Sequence, residues 1–488
     1  MKTIQHIKRL LVIGTIAILT SCTSKDFEDL NVDTKTPSEP ITSYLLTNSL
    51  RYIPNAMLES YEPQVNFWMQ YWTQIPYVAH EQYNFTENAF PYYQSTLVNL
   101  QYIIDQNTDE ETRAAVSVFG DNENQIAVAR ILKAYYFLRL TDNWGDIPYF
   151  DALKGQLGGE YLRPAIDTQK DIYYDLFKEL SEAVGQINES SINPMKGDFL
   201  FNGNMRKWKK FANTTRLIMA MRISDVDPEK GREEFIGAMN ASGSIIESNN
   251  ENLLYSFLDD ELAQNYNLFY NWNSTPSYPY AVAKPFVDNL LSRNDPRLPV
   301  FADRAAASNE FVGQPVATAG EQSQFSQLGA SLRQKDGSMF IYSYAQVLLT
   351  MAEAAQKGWI AGGLNAAESF YNDAIRASFE QYGVFDIATY NQYIHSAGTE
   401  FSAARYQEQI GYEKWVALYP YGHESWAEWR RLDAPALTPA TGAITEDGQI
   451  PKRFTYHTGM KNLMPEEFAK VEARQPDKPT TRVWWDVR

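Results

Sequence analysis

The chain has 488 residues, a formal charge of −17 and an aromatic content of 14%, made up of 31 Tyr, 25 Phe and 11 Trp. Such an acidic surface repels phosphate backbones and anionic headgroups, which argues against nucleic acid as a partner. A single cysteine excludes a disulfide framework, a thiolate metal cluster and a redox pair.

At the start of the chain, Lys2, Lys8 and Arg9 precede an apolar run from Leu10 to Leu19. A membrane-spanning helix needs roughly twenty residues, so this run is too short to cross a bilayer. Its length and flanks suit the hydrophobic region of a secretory signal. Leu19-Thr20-Ser21-Cys22 follows and resembles a bacterial lipobox, in which the thiol of Cys22 is lipidated and the signal is removed before it. Several acyl chains anchor a protein almost permanently without any spanning helix. Residues 1–21 therefore read as a lipoprotein signal peptide, and residues 22–40, with Pro37 and Pro40, as a lipidated tether.

Residues 41–488 read as one mainly α domain. Helical periodicity predicts tetratricopeptide-like helix pairs near 93–142, 168–224, 339–383 and 401–433. Thr168 and Asp171 form a capping box ahead of Ile172, Leu176, Leu180 and Val184, which repeat at i+4. Trp208, Phe211, Thr215, Ile218 and Arg222 keep a similar spacing. Phe340, Tyr344, Val347, Leu348, Met351 and Ala355 predict a further helix, with a partner from Asn365 to about Tyr382 closed by Gly383. In that partner, Ala367, Tyr371 and Ala374 let two helices approach around one aromatic ring. Stacked pairs form a solenoid with open faces, here with long irregular loops and few short strands. The stretch 264–336 is polar and Pro-rich but carries Tyr266, Phe269, Tyr270, Trp272, Tyr278 and Tyr280, which predicts an ordered loop packed on the solenoid.

Catalytic chemistry is not visible. There is no phosphate loop, dinucleotide fingerprint or Gly-x-Ser-x-Gly elbow. None of His6, His80, His395, His423 and His457 forms an HExxH pair, and the sequence points to no cofactor, no metal and no catalytic residue. His423, Glu424 and Glu428 read as a helix start with polar, outward-facing side chains. Asp259-Asp260-Glu261 offers oxygens to Ca²⁺ but reads first as a solvated charge run. Sixty acids leave a paired-carboxylate surface glycosidase open as an alternative.

Two aromatic clusters fall outside the cleanest helices. One runs from Phe67 and Trp68 through Tyr71, Trp72, Tyr77, Tyr83 and Phe85, interleaved with Gln70, Gln74, Gln82 and Asn84. The other holds Trp272, Tyr278 and Tyr280 among Asn and Ser. Flat rings beside amides suit a neutral polyhydroxylated or peptidic ligand. Tyr77, Tyr83, Asn84, Trp272, Tyr278 and Tyr280 are the candidate ligand-binding residues; Trp68 and Tyr71 read as core.

Arg130-Ile-Leu-Lys-Ala-Tyr-Tyr-Phe-Leu-Arg-Leu-Thr-Asp-Asn-Trp-Gly-Asp-Ile-Pro-Tyr149 resembles the hallmark helix and exit turn of the SusD/RagB nutrient-binding outer-membrane lipoproteins. Trp208 to Ser224, Met351-Ala-Glu-Ala-Ala, Glu413 to Tyr419, Glu424 to Arg431, Pro451-Lys-Arg-Phe and Arg482-Val-Trp-Trp-Asp486 are similar to further segments, most closely of the second SusD-like subgroup. The resemblance implies four tetratricopeptide-like units with an irregular ligand-facing half and no enzymatic activity. It also implies a role as lid on a SusC-like TonB-dependent transporter in the outer membrane, capturing a glycan or a peptide. The acids Asp26, Glu28 and Asp29 resemble the family's surface-export signal, although Phe27 interrupts them. Arg130, Trp144 and Asp146 match the hallmark motif and read as structural.

Overall fold

The computed structural model describes residues 40–58, 63–84, 89, 91–259, 265–270 and 280–488. Cys22 and the acids at 26–29 lie outside the described residues, as does the whole of the signal and nearly all of the tether. The body spans Thr42–Arg488 and is mostly helical. Among the described residues no helix is long and apolar enough to cross a membrane.

Eight helices form its frame: α1 (Val98–Thr108), α2 (Asn122–Trp144), α3 (Gln169–Gln186), α4 (Met205–Arg222), α5 (Tyr344–Gln356), α6 (Gly363–Gln381), α7 (Tyr406–Ala417) and α8 (Gly422–Leu432). Helix α2 packs on α1 and α3, α4 on α3 and α5, α5 on α6 and α7, and α7 on α8, so each hairpin buries the apolar face of the next. Local chemistry sets the ends. Thr168 accepts a hydrogen bond from the Asp171 N–H at the start of α3, which satisfies one of the donors left free in a first helical turn. Gly383, at φ +68°, follows the end of α6 in a left-handed conformation. Ala367, Tyr371 and Ala374 on α6 are all buried, with the Tyr371 ring 5.3 Å from that of Phe401.

Helix α5 starts later than its periodicity predicts. Phe340 belongs to strand β4 (Ser338–Tyr342), which pairs antiparallel with β2 (Leu253–Ser256), and Ser343 caps the helix by accepting from the Gln346 N–H. Met339, Ile341 and Tyr342 are buried while Ser338 is exposed. This largely alternating pattern was absorbed into the helical stripe that begins two residues later.

The polar start of α8 also faces the other way from its sequence reading. His423, Glu424 and Glu428 are buried, at 4%, 5% and 2% exposure. Glu424 pairs with Arg139 on α2 and Arg222 on α4, both at 2.5 Å. Arg222 also reaches Asp142 at 2.5 Å and Glu428 at 3.1 Å. Glu428 takes Lys414 at 2.6 Å and Arg431 at 2.8 Å, and Arg431 grips Glu353 through both amino groups at 2.6 Å. Arg139, Arg222, Lys414 and Arg431 thus balance Asp142, Glu353, Glu424 and Glu428 inside the stack. Burial pushes the Glu424 carboxyl up, but Arg222 and Arg139 pull it further down, to a net position below the usual range. Burial and the neighbouring Arg139 and Arg430 push the His423 imidazole down to about 3, so it stays neutral at physiological pH. Arg130, Trp144 and Asp146 also serve the frame: Arg130 pairs with Glu179 and Glu182 on α3, Trp144 donates to the Thr455 carbonyl, and Asp146 accepts from the Gln169 N–H.

Candidate ligand-binding site

After the short helix Gln64–Trp68 the chain turns at Gln70, held at φ +55°, and enters strand β1 (Trp72–Gln74). This strand pairs antiparallel with β3 (Tyr280–Val282), matching Trp72 to Val282, Thr73 to Ala281 and Gln74 to Tyr280. The two aromatic segments singled out in the sequence are therefore joined by one ribbon. The Phe269 ring also packs edge-on against Trp72 at 5.4 Å.

A third stretch completes the ribbon. Gln314, fully buried, receives a hydrogen bond from the Thr73 hydroxyl at 2.9 Å and donates to the carbonyls of Gln74 and Thr318 at 3.2 and 2.7 Å. The turn beyond β1, residues 75–84, is fastened at its root. Glu81 accepts from the Gln74 N–H at 2.6 Å and from the Ala317 N–H, and Gln64 donates to the His80 carbonyl at 2.6 Å. Gln82 donates to the Thr441 carbonyl at 3.1 Å, and its own carbonyl accepts from the Ile444 N–H at 3.0 Å.

The candidate residues divide on this scaffold. Tyr77 is 65% exposed at the tip of the turn, and Asn84 is exposed at its end. Tyr83 is buried at φ +71°, its hydroxyl accepting from the Ala440 N–H at 2.9 Å. Left-handed backbone in a tyrosine is a strained conformation of the kind that persists where surrounding contacts enforce it. Tyr280 is 4% exposed, with its ring 5.8 Å from that of Phe67. As placed, Tyr83 and Tyr280 build the ribbon and offer no ring face to solvent. Trp272 and Tyr278 fall in residues 271–279, outside the described residues. Trp68 and Tyr71 are core, at 3% and 0% exposure.

Glu81, Gln314 and the 438–444 stretch escaped the sequence reading. They carry no aromatic or motif signal, and only the tertiary pairing brings them to the turn. Asp259 pairs with Lys335 at 2.7 Å, while Asp260 and Glu261 lie outside the described residues. Among the described residues no cluster of acids, histidines or cysteine is placed to hold a metal ion.

Burial raises the Glu81 carboxyl to about 8, against the opposing pull of the Ala317 and Gln74 amides. A carboxyl raised on folding stabilises the folded form below its unfolded value, near 4.5, and loses that contribution as pH rises through 8. Hydrogen exchange at the Gln74 and Ala317 amides, corrected for the intrinsic base-catalysed rate, is expected to quicken between pH 6 and pH 8.5. Protection that stays constant across that window contradicts this linkage.

The structure is thus a helical body that presents the Tyr77 ring and the Asn84 side chain on a turn fastened to the β1–β3 ribbon. The particular family follows from comparison: residues 34–457 match the SusD-like_2 family, described as starch-binding and associating with the outer membrane, and the chain belongs to it. Among solved structures it is similar to a chitin-binding protein at 26% identity, covering 92% of this chain and 100% of that one with a TM-score of 0.77. A SusD homologue from Bacteroides fragilis NCTC 9343 matches at 22% identity over 91% and 99% of the two chains, with a TM-score of 0.76. A chitin-binding SusD homologue from Flavobacterium johnsoniae matches at 21% over 92% and 98%, with a TM-score of 0.71. The last two likenesses concern the fold alone. No curated protein sequence matches the chain.

Proposed function

We propose that this protein is a surface-exposed outer-membrane lipoprotein, anchored through Cys22, that binds a neutral glycan without cleaving it and passes it to a SusC-like TonB-dependent transporter. The observation that carries this reading is the β1–β3 ribbon, which fastens the root of the turn bearing Tyr77 and Asn84 by pairing Trp72–Gln74 with Tyr280–Val282. An exposed ring covers the apolar face of a sugar, and neighbouring amides satisfy its hydroxyls. A glycan is preferred to a peptide because the family is described as starch-binding and the similar structure at 26% identity is of a chitin-binding protein.

Titration of the mature chain with chitin-derived, starch-derived and peptide oligomers tests the proposal. A neutral glycan is expected to bind, and Tyr77→Ala is expected to weaken it by about 1 kcal/mol, near the threshold for a contributing contact residue. Because Tyr77 stands in solvent, thermal stability should not change. Preference for peptides over every glycan overturns the ligand class, and unchanged affinity removes Tyr77 from the contact surface.

A further inference from the structure

The chain enters the body at Thr42, the first residue of the helix Thr42–Arg51. The Thr42 hydroxyl donates to the buried Gln125 side chain at 3.0 Å, and the Gln125 amide donates to the carbonyls of Val116 and Gly120 at 3.1 and 2.9 Å. Residues 188–197 close on both segments. Asn193 donates to the Ser117 carbonyl at 2.6 Å, the Lys196 N–H to the Phe119 carbonyl at 2.8 Å, and the Thr47 hydroxyl to the Gly197 carbonyl at 2.9 Å. Gly197, at φ +83°, sits so close to the Ser43 carbonyl that a β-carbon there would overlap it. Three segments are thus stitched together at the foot of the tether.

What these segments show to solvent is apolar. Ile192 is 99% exposed, Tyr44 63% and Val118 56%, with Ala114, Ala115 and Pro194 exposed beside them. Residues 113–120 and 190–197 contain no acid, in a chain of charge −17. Their two cations, Arg113 and Lys196, are exposed and have no carboxylate partner among the described residues; the Lys196 ammonium lies 6.0 Å from the centre of the Phe119 ring. Acids stand only at the edges. Glu110 and Glu111 precede the first run, and Glu189, paired with Lys209 at 2.7 Å, precedes the second. Asp121 and Asp198 follow the two runs, and each is spent on backbone amides.

We propose that this face lies against the surface of the membrane that holds the anchor, with Ile192 and Val118 inserted among the lipid headgroups. A tyrosine ring is at home at headgroup level, and Arg and Lys keep their charge among lipid phosphates while their stems lie in apolar surroundings. So small a contact is weak for a free protein. A tether of residues 23–41 keeps the face within roughly 65 Å of the bilayer, so a high effective concentration lets a weak contact hold. The inference rests on the Cys22 anchor reading and goes beyond it, because an anchor alone does not orient the body.

The test uses the lipidated mature chain on phosphatidylcholine vesicles, with an environment-sensitive fluorophore on Ile192→Cys, Val118→Cys or, as a control, Ile387→Cys. The natural thiol is consumed by the lipid, so the introduced cysteine takes the label alone. Ile387 is 59% exposed on the helix Ile387–Ile394, which packs on α6. A nitroxide high on the acyl chain of the lipid is expected to roughly halve the emission from the first two positions and to leave the control bright. Val118→Ser combined with Lys196→Gln should restore the emission of the label on Ile192→Cys, with thermal stability unchanged because both side chains stand in solvent. Equal quenching at Ile192 and Ile387, in chain that stays on the vesicles, overturns this inference and spares the anchor. Chain that leaves the vesicles overturns the anchor reading and this inference together. A dimer of the unlipidated chain that Ile192→Ser dissolves assigns the face to a second copy and also overturns the proposal.

Discussion

Arg222→Met is expected to destabilise the fold by about 3–5 kcal/mol, the range for breaking a buried ion pair by removing one partner. Arg222 is fully buried at the last turn of α4 and is held by Asp142, Glu424 and Glu428 from two other helices. Methionine fills most of the volume, so the loss is electrostatic: three carboxylates remain in a dry interior with fewer counterions. Arg139 still serves Glu424, and Lys414 and Arg431 still serve Glu428. Asp142 keeps only the neutral donors Tyr173 and Trp485 on its carboxylate. Arg222→Lys preserves the charge but not the fork that spans these acids, and should fall between the two. Urea unfolding monitored by circular dichroism reads the effect as a lower midpoint with an unchanged slope. A midpoint equal to that of the parent protein contradicts the network's role in holding α2, α4 and α8 together.

Trp415→Ala is expected to cost a similar amount, about 3–5 kcal/mol, as a large-to-small change in a packed core. The ring is 1% exposed, stacked on Tyr71 at 5.7 Å and edge-on to Phe286 at 4.9 Å. Its indole N–H donates to the Met69 carbonyl at 2.9 Å, immediately before the turn into β1. The variant should therefore loosen the ribbon as well as the core and weaken glycan binding without touching a contact residue. Trp415→Phe keeps a ring but not the donor, and should lose about 1 kcal/mol. Wild-type stability in Trp415→Ala would mean that this packing does not support the ribbon.

The frame was legible because helices announce themselves locally. The i+4 stripe from Ile172, the Thr168 cap and the Gly383 stop each act within a few residues, and α3 and α6 lie where those signals put them. Charges that answer one another across the fold gave no such signal. Glu424 and Glu428 look like a solvated helix start until Arg139 and Arg222, far away in sequence, fold against them.

The site was half legible for the same reason. Aromatic and amide composition picked out both segments that the ribbon joins, but strands of three residues carry too little periodicity to reveal the pairing. Composition also cannot tell a presented ring from a buried one. Tyr77 meets solvent, whereas Tyr83, six residues on, is buried with its hydroxyl accepting from the Ala440 N–H.

The most direct test of capture without turnover is calorimetric titration of the mature chain with neutral chitin- and starch-derived oligosaccharides, followed by mass spectrometry of the recovered ligand. The expected result is saturable binding of at least one oligosaccharide, recovered at its full length. Shortened products that accumulate with protein concentration, or no saturable binding to any neutral glycan, would contradict the account.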